Sequence, residues 1–136
     1  PVTAETDIYI ADTLGELGAC WGLADVAFVG GSLTRRGGQN MIEPAAYGAA
    51  VLFGPNTWNF RDVVELLLNS GAARVVADRE ELTQTVGELL RDGATATKQG
   101  QIAQRLGVAQ QGATEKTSKL LVQMAGPITA PQSRAA

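Results

Sequence analysis

The stretch from Gly30 to Pro44 combines the residue types that bind phosphate groups and sugar hydroxyls. It follows the apolar run Val26–Val29 and contains two glycine pairs, Gly30-Gly31 and Gly37-Gly38, with Asn40 and Glu43 further on. Glycine allows positive φ and a close approach of another group to the main chain. A glycine-rich loop that opens a helix leaves backbone N–H groups free at the positive end of the helix dipole. The pattern predicts a phosphate-binding turn, with Glu43 placed to accept hydrogen bonds from two ribose hydroxyls.

The same residues also have purely structural explanations. The glycine pairs match neither the dinucleotide fingerprint Gly-x-Gly-x-x-Gly nor the Gly-Lys-Ser/Thr end of a P-loop, so spacing alone favours a tight turn as much as a phosphate site. Asn40 and Glu43 fit a helix cap as well as a ligand contact. Arg35 and Arg36 are adjacent, and neighbours in a loop point apart, so at most one is expected to contact a phosphate.

A second polar turn, Asp12 to Glu16, also follows an apolar run. Thr13 and Glu16 have the Ser/Thr-x-x-Glu spacing of a capping box, which predicts a helix that begins near Leu14. On this spacing alone, a structural role for Glu16 is favoured over a ligand contact.

Short apolar runs alternate with amphipathic segments along the chain, which predicts strands followed by helices. The predicted strands number about four: Asp7–Ala11, Val26–Val29, Ala50–Phe53 and Ala73–Val76. This rhythm predicts an α/β fold, a parallel sheet with helices on both faces. Ligands bind at the carboxyl ends of such strands. The two polar turns are therefore expected to face one cleft.

Composition narrows the function further. The 136 residues carry a net charge of −3, which argues against nucleic acid as the main partner. The chain has no histidine, which excludes a histidine base or ligand within it, and its single cysteine, Cys20, cannot form an internal disulfide.

No apolar run approaches the length of a membrane span. The first residue is Pro1 rather than Met, so we expect a piece of a longer protein.

Four blocks of sequence resemble the 3-deoxy-D-manno-octulosonic acid (Kdo) transferases of lipid A biosynthesis. They are Asp12-Thr13-Leu14-Gly15-Glu16-Leu17, Ala24 to Leu33, Gly37-Gly38-Gln39-Asn40-Met41-Ile42-Glu43-Pro44-Ala45, and Phe53-Gly54-Pro55-Asn56-Thr57-Trp58-Asn59-Phe60. The resemblance covers about residues 7–125 and corresponds to the second part of the family's C-terminal domain.

The resemblance implies a GT-B glycosyltransferase with two Rossmann-like domains, of which this chain is part of the donor-binding one. The donor is CMP-Kdo, while the lipid A precursor and the catalytic glutamate base belong to the N-terminal domain. No catalytic residue, metal or cofactor is thus expected within this chain. The donor-binding residues implied by the matching motifs, together with the glycine turn, are Leu14, Gly15, Glu16, Gly30, Gly31, Ser32, Asn40, Met41, Ile42 and Glu43. Residues 1–126 would form the donor-binding subdomain, and residues 127–136 a flexible tail.

Two positions depart from the family's pattern. Gln39 stands where the family usually has histidine, and Met41 where it usually has proline. Because glutamine cannot carry a positive charge, donor affinity or its pH dependence is expected to differ. Two alternatives stay open: another GT-B enzyme with a different nucleotide sugar, and a non-catalytic Rossmann-like binding module.

The resemblance also implies where the complete enzyme acts and what this chain does alone. The enzyme is expected at the cytoplasmic face of the bacterial inner membrane, and the chain itself is expected to be soluble and inactive. Strands between Asp7–Ala11 and Val26–Val29 are expected to be lacking here. Two outcomes are therefore expected as alternatives: Asp7–Ala11 pairs differently in this chain, or the exposed sheet edge drives self-association.

Overall fold

A three-stranded parallel sheet lies at the centre of the structure, a computed structural model that describes residues 5–110 and 113–125. The strands are β1 (Val26–Val29), β2 (Ala50–Phe53) and β3 (Ala73–Val75). They are arranged in chain order, with Val26 opposite Ala50 and Val51 opposite Ala73. Each connection between two strands contains a helix, as parallel pairing requires.

Six α-helices accompany the sheet in the described residues. They are α1 (Leu17–Gly22), α2 (Ile42–Tyr47), α3 (Arg61–Asn69), α4 (Arg79–Arg91), α5 (Gly93–Gln110) and α6 (Ala113–Ala125). A 3₁₀ turn, Trp58–Phe60, precedes α3. Gly48 ends α2 with φ of 87°, a left-handed conformation that glycine adopts without strain.

Strand β2 is buried throughout, and its side chains alternate between two apolar clusters. Val51 and Phe53 belong to a cluster that also contains Met41 of the β1–α2 loop, Leu67 of α3 and Ala103 of α5. The residues on the other face are Ala50 and Leu52, packed with Leu89 of α4 and Ala96 of α5. Helices thus cover both faces, and the predicted α/β class is confirmed.

The prediction of a strand at Asp7–Ala11 is wrong. This segment is not assigned to a strand, and the side chains of Ile8 and Ile10 are each 81% exposed. A strand needs a neighbour to satisfy its backbone N–H and C=O groups, and no described segment pairs with this one. The sheet has three strands in the described residues rather than about four.

The predicted start of the first helix is also wrong. Helix α1 begins at Leu17, after Gly15, which has φ of 89° and therefore cannot continue a right-handed helix. The Thr13 hydroxyl donates a hydrogen bond to the Glu16 carboxylate and does not cap a backbone N–H. The predicted tail, residues 127–136, lies outside the described residues.

Candidate functional site

The loop that joins β1 to α2 is anchored through the buried hydroxyl of Ser32. Ser32 Oγ donates to the Val29 carbonyl oxygen at 2.5 Å and accepts from the Gly54 N–H at 2.8 Å. Ser32 has no exposed surface. One side chain thereby connects the carboxyl ends of β1 and β2, and both of these hydrogen bonds are internal to the protein.

The segment that follows β2 fixes the same loop at two further points. Asn56 donates to the Ser32 carbonyl oxygen from its backbone N at 2.9 Å and from its side-chain Nδ2 at 3.1 Å. Asn59 Nδ2 donates to the Arg36 carbonyl oxygen at 3.1 Å. The sequence blocks around Gly30 and around Asn56 therefore form one structural unit.

Two glycines allow these segments to approach each other closely. A Cβ on Gly54 would lie 2.5 Å from the Ser32 carbonyl oxygen. A Cβ on Gly37 would lie 2.5 Å from both Trp58 Nε1 and Asn59 Nδ2, and Gly37 has φ of 84°. Both positions therefore require glycine for packing. Gly30 is different, because a Cβ there would meet nothing within 4 Å.

Asn40 organises the start of α2. Its Oδ1 accepts from the Ile42 N–H at 3.0 Å, and its Nδ2 donates to Glu43 Oε1 at 3.1 Å. Asn40 thus satisfies one of the free N–H groups at the helix start, while Glu43 is exposed and is oriented by Asn40. Of the two residues predicted as possible caps, Asn40 does the capping and Glu43 keeps its carboxylate at the surface.

A cavity of about 400 Å³ opens beside these residues, at the carboxyl end of β1. Leu17 and Trp21 of α1 and Val29 of β1 form its apolar side. The residues on its polar side are Gly30, Gln39, Asn40 and Glu43. A volume of this size falls in the range of small-molecule sites, and a mainly apolar wall with a few polar groups is typical of them.

The structure brings some of the predicted site residues together and not others. Gly30, Asn40 and Glu43 line the cavity, and Ile42 is half-buried next to them. Ser32 and Met41 are fully buried, so neither residue has surface that faces the cavity in this structure. Gly31 follows Gly30 and has φ of 76°.

The other predicted turn does not line this cavity. Leu14, Gly15 and Glu16 are exposed and precede α1, and the residues that α1 contributes to the cavity wall are Leu17 and Trp21. The expected strand before this turn is not formed. The turn from Asp12 to Glu16 therefore does not follow the carboxyl end of a strand in this structure.

Sequence reasoning missed two residues of the cavity wall, Leu17 and Trp21. Their spacing of four residues places them on one face of α1, but spacing alone does not show whether that face is covered. Helix α1 has no buried residue. Its short length and its position at the edge of the fold leave this face open.

A second cavity, of about 330 Å³, lies at the amino ends of the strands. Its lining includes Asp25, Tyr47 and Gln104, and none of the predicted site residues. In the part of the chain that the structure describes, no three Cys, Asp or Glu side chains are grouped closely enough to hold a metal ion. No helix in those residues is long and apolar enough to cross a membrane.

Curated proteins named as 3-deoxy-D-manno-octulosonic acid transferases have similar sequences, whereas no protein-family model matches the chain. The chain is 39% identical over 111 residues to 3-deoxy-D-manno-octulosonic acid transferase of Bordetella pertussis, which covers 82% of this chain and 26% of that protein. It is 32% identical over 117 residues to the Haemophilus influenzae protein of the same name, covering 85% and 27%. The chain thus spans about a quarter of the length of these relatives.

A solved structure is similar in both fold and sequence. The C-terminal CMP-Kdo binding domain of WaaA from Acinetobacter baumannii matches with a TM-score of 0.69 and 29% sequence identity. The match covers 74% of this chain and 52% of that chain. The α/β architecture described above is therefore that of a known domain, represented here in part.

Proposed function

Because this chain belongs to the 3-deoxy-D-manno-octulosonic acid (Kdo) transferase family, we propose that it forms part of the domain that binds CMP-Kdo. The observation that carries the proposal is the cavity at the carboxyl end of β1, where Asn40 orients the exposed Glu43 carboxylate. Parallel α/β sheets bind ligands at this end of their strands. The A. baumannii domain, which is named for CMP-Kdo binding, has the same fold.

Glu43 is the proposed ribose ligand. A carboxylate accepts hydrogen bonds at both oxygens, so it can receive two neighbouring hydroxyls of one sugar. The Asn40 amide, 3.1 Å from Glu43 Oε1, holds the carboxylate in one orientation before the ligand arrives. Preorganisation of this kind lowers the entropy cost of binding.

Gly30 and Gly31 are the proposed phosphate contacts. The space above Gly30 is open, and a residue without a side chain lets a phosphate oxygen approach the backbone N–H groups. The Ile42 N–H is already bonded to Asn40, so this contact falls on the other amides of the turn. Fixed donors of this kind would stabilise the negative charge that develops on CMP as it leaves.

The complete enzyme, in this proposal, is a GT-B glycosyltransferase with Rossmann-like domains that acts at the cytoplasmic face of the bacterial inner membrane. The acceptor hydroxyl of a lipid A precursor attacks the anomeric carbon of Kdo, and CMP leaves with its electron pair. The base and the acceptor site belong to the other domain, and the reaction uses neither a metal nor a cofactor. This chain alone binds donor and does not complete the transfer.

Calorimetry with CMP, UMP and UDP on the 136-residue chain tests the proposal. We expect CMP to bind most tightly, and the Glu43→Gln variant to bind it about tenfold more weakly, since lost charge-assisted hydrogen bonds are worth about 1.5–3 kcal/mol. Glu65→Gln removes the same charge from an exposed position on α3 and is the matched control. A preference for UDP would instead indicate another nucleotide-sugar enzyme.

Two further outcomes contradict the proposal. If the chain binds none of the three nucleotides, the cavity at the carboxyl end of β1 is not a donor-binding site. If Glu43→Gln changes only the free energy of unfolding and not CMP affinity, Glu43 is structural. Separately, measurable transfer of Kdo to lipid IVA by the 136-residue chain would overturn the assignment of the base to another domain.

We also propose that the chain self-associates through the free edge of β1. In the described residues β1 pairs only with β2, so its other edge is unpaired. Unpaired strand edges are templates for another strand. The exposed segment Asp7–Ala11 has the apolar, β-branched composition of a strand, and we propose that in a second copy it pairs with this edge.

A further inference from the structure

The indole of Trp21 is the largest side chain in the wall of the cavity beside Glu43. Its Nε1–H is buried and has no hydrogen-bond partner in the part of the chain that the structure describes. The indole nitrogen is a donor only, and a buried donor left without an acceptor is costly. Buried tryptophan N–H groups usually find a partner.

The contact between α1 and α2 involves the glycines of α1. Helix α1 contacts Tyr47 of α2 through its glycines, since a Cβ on Gly18 would lie 3.2 Å from the Tyr47 hydroxyl oxygen and one on Gly22 3.6 Å from Tyr47 Cδ1. Gly18 and Gly22 are four residues apart and therefore share a face of the helix. Trp21 instead borders the cavity.

The cavity has two chemically different sides, and they suit the two parts of a nucleoside. Glu43, Asn40 and Gln39 offer hydrogen bonds for a sugar. Trp21, Leu17 and Val29 offer a flat aromatic ring among apolar groups, and nucleobases stack on such rings. A nucleobase also carries carbonyl and ring-nitrogen acceptors that an indole N–H can bond.

We propose that Trp21 is a specificity-determining residue that holds the nucleobase of the donor nucleotide, and that the ligand supplies the acceptor for its indole N–H. The inference rests on the proposed function and adds to it the residue on the base side of the site. It assigns recognition of the base to α1 and recognition of the ribose to the start of α2.

The two tryptophans of the chain, Trp21 and Trp58, allow a direct spectroscopic test. In the Trp58→Phe variant all indole emission comes from Trp21, and we expect CMP to change its intensity and wavelength. In the Trp21→Phe variant the emission comes from Trp58, and we expect a much smaller change. Equal responses from the two variants, or a response only from Trp58, would overturn the proposal.

A ligand pair separates base contact from support of the fold. Ribose 5-phosphate has the sugar and phosphate of CMP without the base, and its binding is compared with that of CMP in the wild-type chain and in Trp21→Leu. We expect Trp21→Leu to weaken CMP about tenfold, because loss of a base–aromatic stack reduces affinity by roughly 5- to 160-fold, and to leave ribose 5-phosphate nearly unchanged. Trp21→Phe keeps a ring and lacks the N–H, so its loss of CMP affinity is expected to be smaller.

The outcomes distinguish this inference from the proposed function. Suppose that CMP binds the wild-type chain, and that Trp21→Leu weakens CMP and ribose 5-phosphate equally or weakens neither of them. Trp21 then does not contact the base, but the proposed donor site is still supported. If the wild-type chain binds neither ligand, the donor site itself is wrong and the inference falls with it.

Discussion

Asn40 performs two functions with the two ends of one amide group. Its oxygen caps the Ile42 N–H and its nitrogen orients Glu43. The sequence predicted that Asn40 and Glu43 lie at a helix start, where either could cap a free backbone N–H. It left open which of them caps the helix, since both side chains carry suitable oxygens. The division of roles depends on rotamers, and spacing does not determine these.

Asn40→Asp separates the two functions. Aspartate is as good a cap as asparagine, so we expect the free energy of unfolding in urea to change by less than about 0.5 kcal/mol. It has no N–H to donate to Glu43 and adds a like charge beside it, so CMP affinity measured by calorimetry should fall. Asn40→Ala should lose both affinity and about 1 kcal/mol of stability. A CMP affinity unchanged in Asn40→Asp would show that Glu43 needs no positioning.

Ser32 illustrates what sequence reasoning could not reach at this scale. It was predicted as a ligand-side residue because it stands in the glycine-rich turn. Its hydroxyl bonds the Gly54 N–H, 22 residues away. That contact depends on the pairing of β1 with β2 and is invisible in local sequence. The donor-binding role of Ser32 stays a prediction, and the residue has no exposed surface in this structure.

We expect Ser32→Ala to lower the free energy of unfolding by about 1–3 kcal/mol, because it leaves the Gly54 N–H without a partner in a buried site. Thr34→Ala is the matched control, since its hydroxyl also bonds a carbonyl oxygen of the loop, at Gly31, but is exposed. That change should cost less than about 0.5 kcal/mol. Urea denaturation of both variants measures the difference. Equal losses would show that the Ser32 hydroxyl does not anchor the loop.

At the scale of elements, the strands with paired neighbours were predictable and the unpaired one was not. Val26–Val29 and Ala50–Phe53 were predicted with the bounds they have, because short apolar runs between turn residues fit buried parallel strands. Asp7–Ala11 has the same composition and no partner. Local pattern shows that a segment suits a strand, whereas the strand forms only where another lies beside it.

The start of α5 contains a carboxylate, that of Asp92, whose pKa is lowered by hydrogen bonds. The Asp92 carboxylate accepts from the Thr95 hydroxyl at 2.6 Å and from its backbone N–H at 3.1 Å, and these bonds hold the pKa of Asp92 below its ordinary value. Because the pKa is lower in the folded state, the ionised Asp92 carboxylate stabilises the fold. Its contribution to the free energy of unfolding is fully present above the unfolded-state pKa, about 3.9, and is lost as the pH falls through the lower folded-state pKa.

Asp92→Asn and Thr95→Ala should both weaken the dependence of stability on acid. We expect the free energy of unfolding of the wild-type chain to fall more steeply below about pH 4 than that of either variant. Urea denaturation at a series of pH values from neutral to acid measures the slopes. Slopes that are the same in all three proteins would mean that the hydrogen bonds from Thr95 do not favour the charged carboxylate.

At the scale of the whole molecule, apolar side chains remain outside the two clusters that flank the sheet. Ile8 and Ile10 are each 81% exposed, Tyr9 is 65% exposed, and Leu14 is fully exposed. They precede β1, whose outer edge is unpaired in the described residues. Contiguous exposed apolar residues commonly mark an interaction surface. Together with the open edge, they make this side of the sheet the expected place of contact between chains.

The double variant Ile8→Lys and Ile10→Lys tests this contact, because charged side chains protect strand edges against pairing. We expect the wild-type chain to show larger species in sedimentation velocity as its concentration rises, and the variant to stay monomeric. Helix α6 offers a matched control, since its Leu120 and Met124 are also exposed, at 60% and 77%. Changing those two to lysine should leave association intact if the β1 edge is the contact. If instead the α6 variant is the one that stays monomeric, the chains meet through α6, and the segment before β1 has another role.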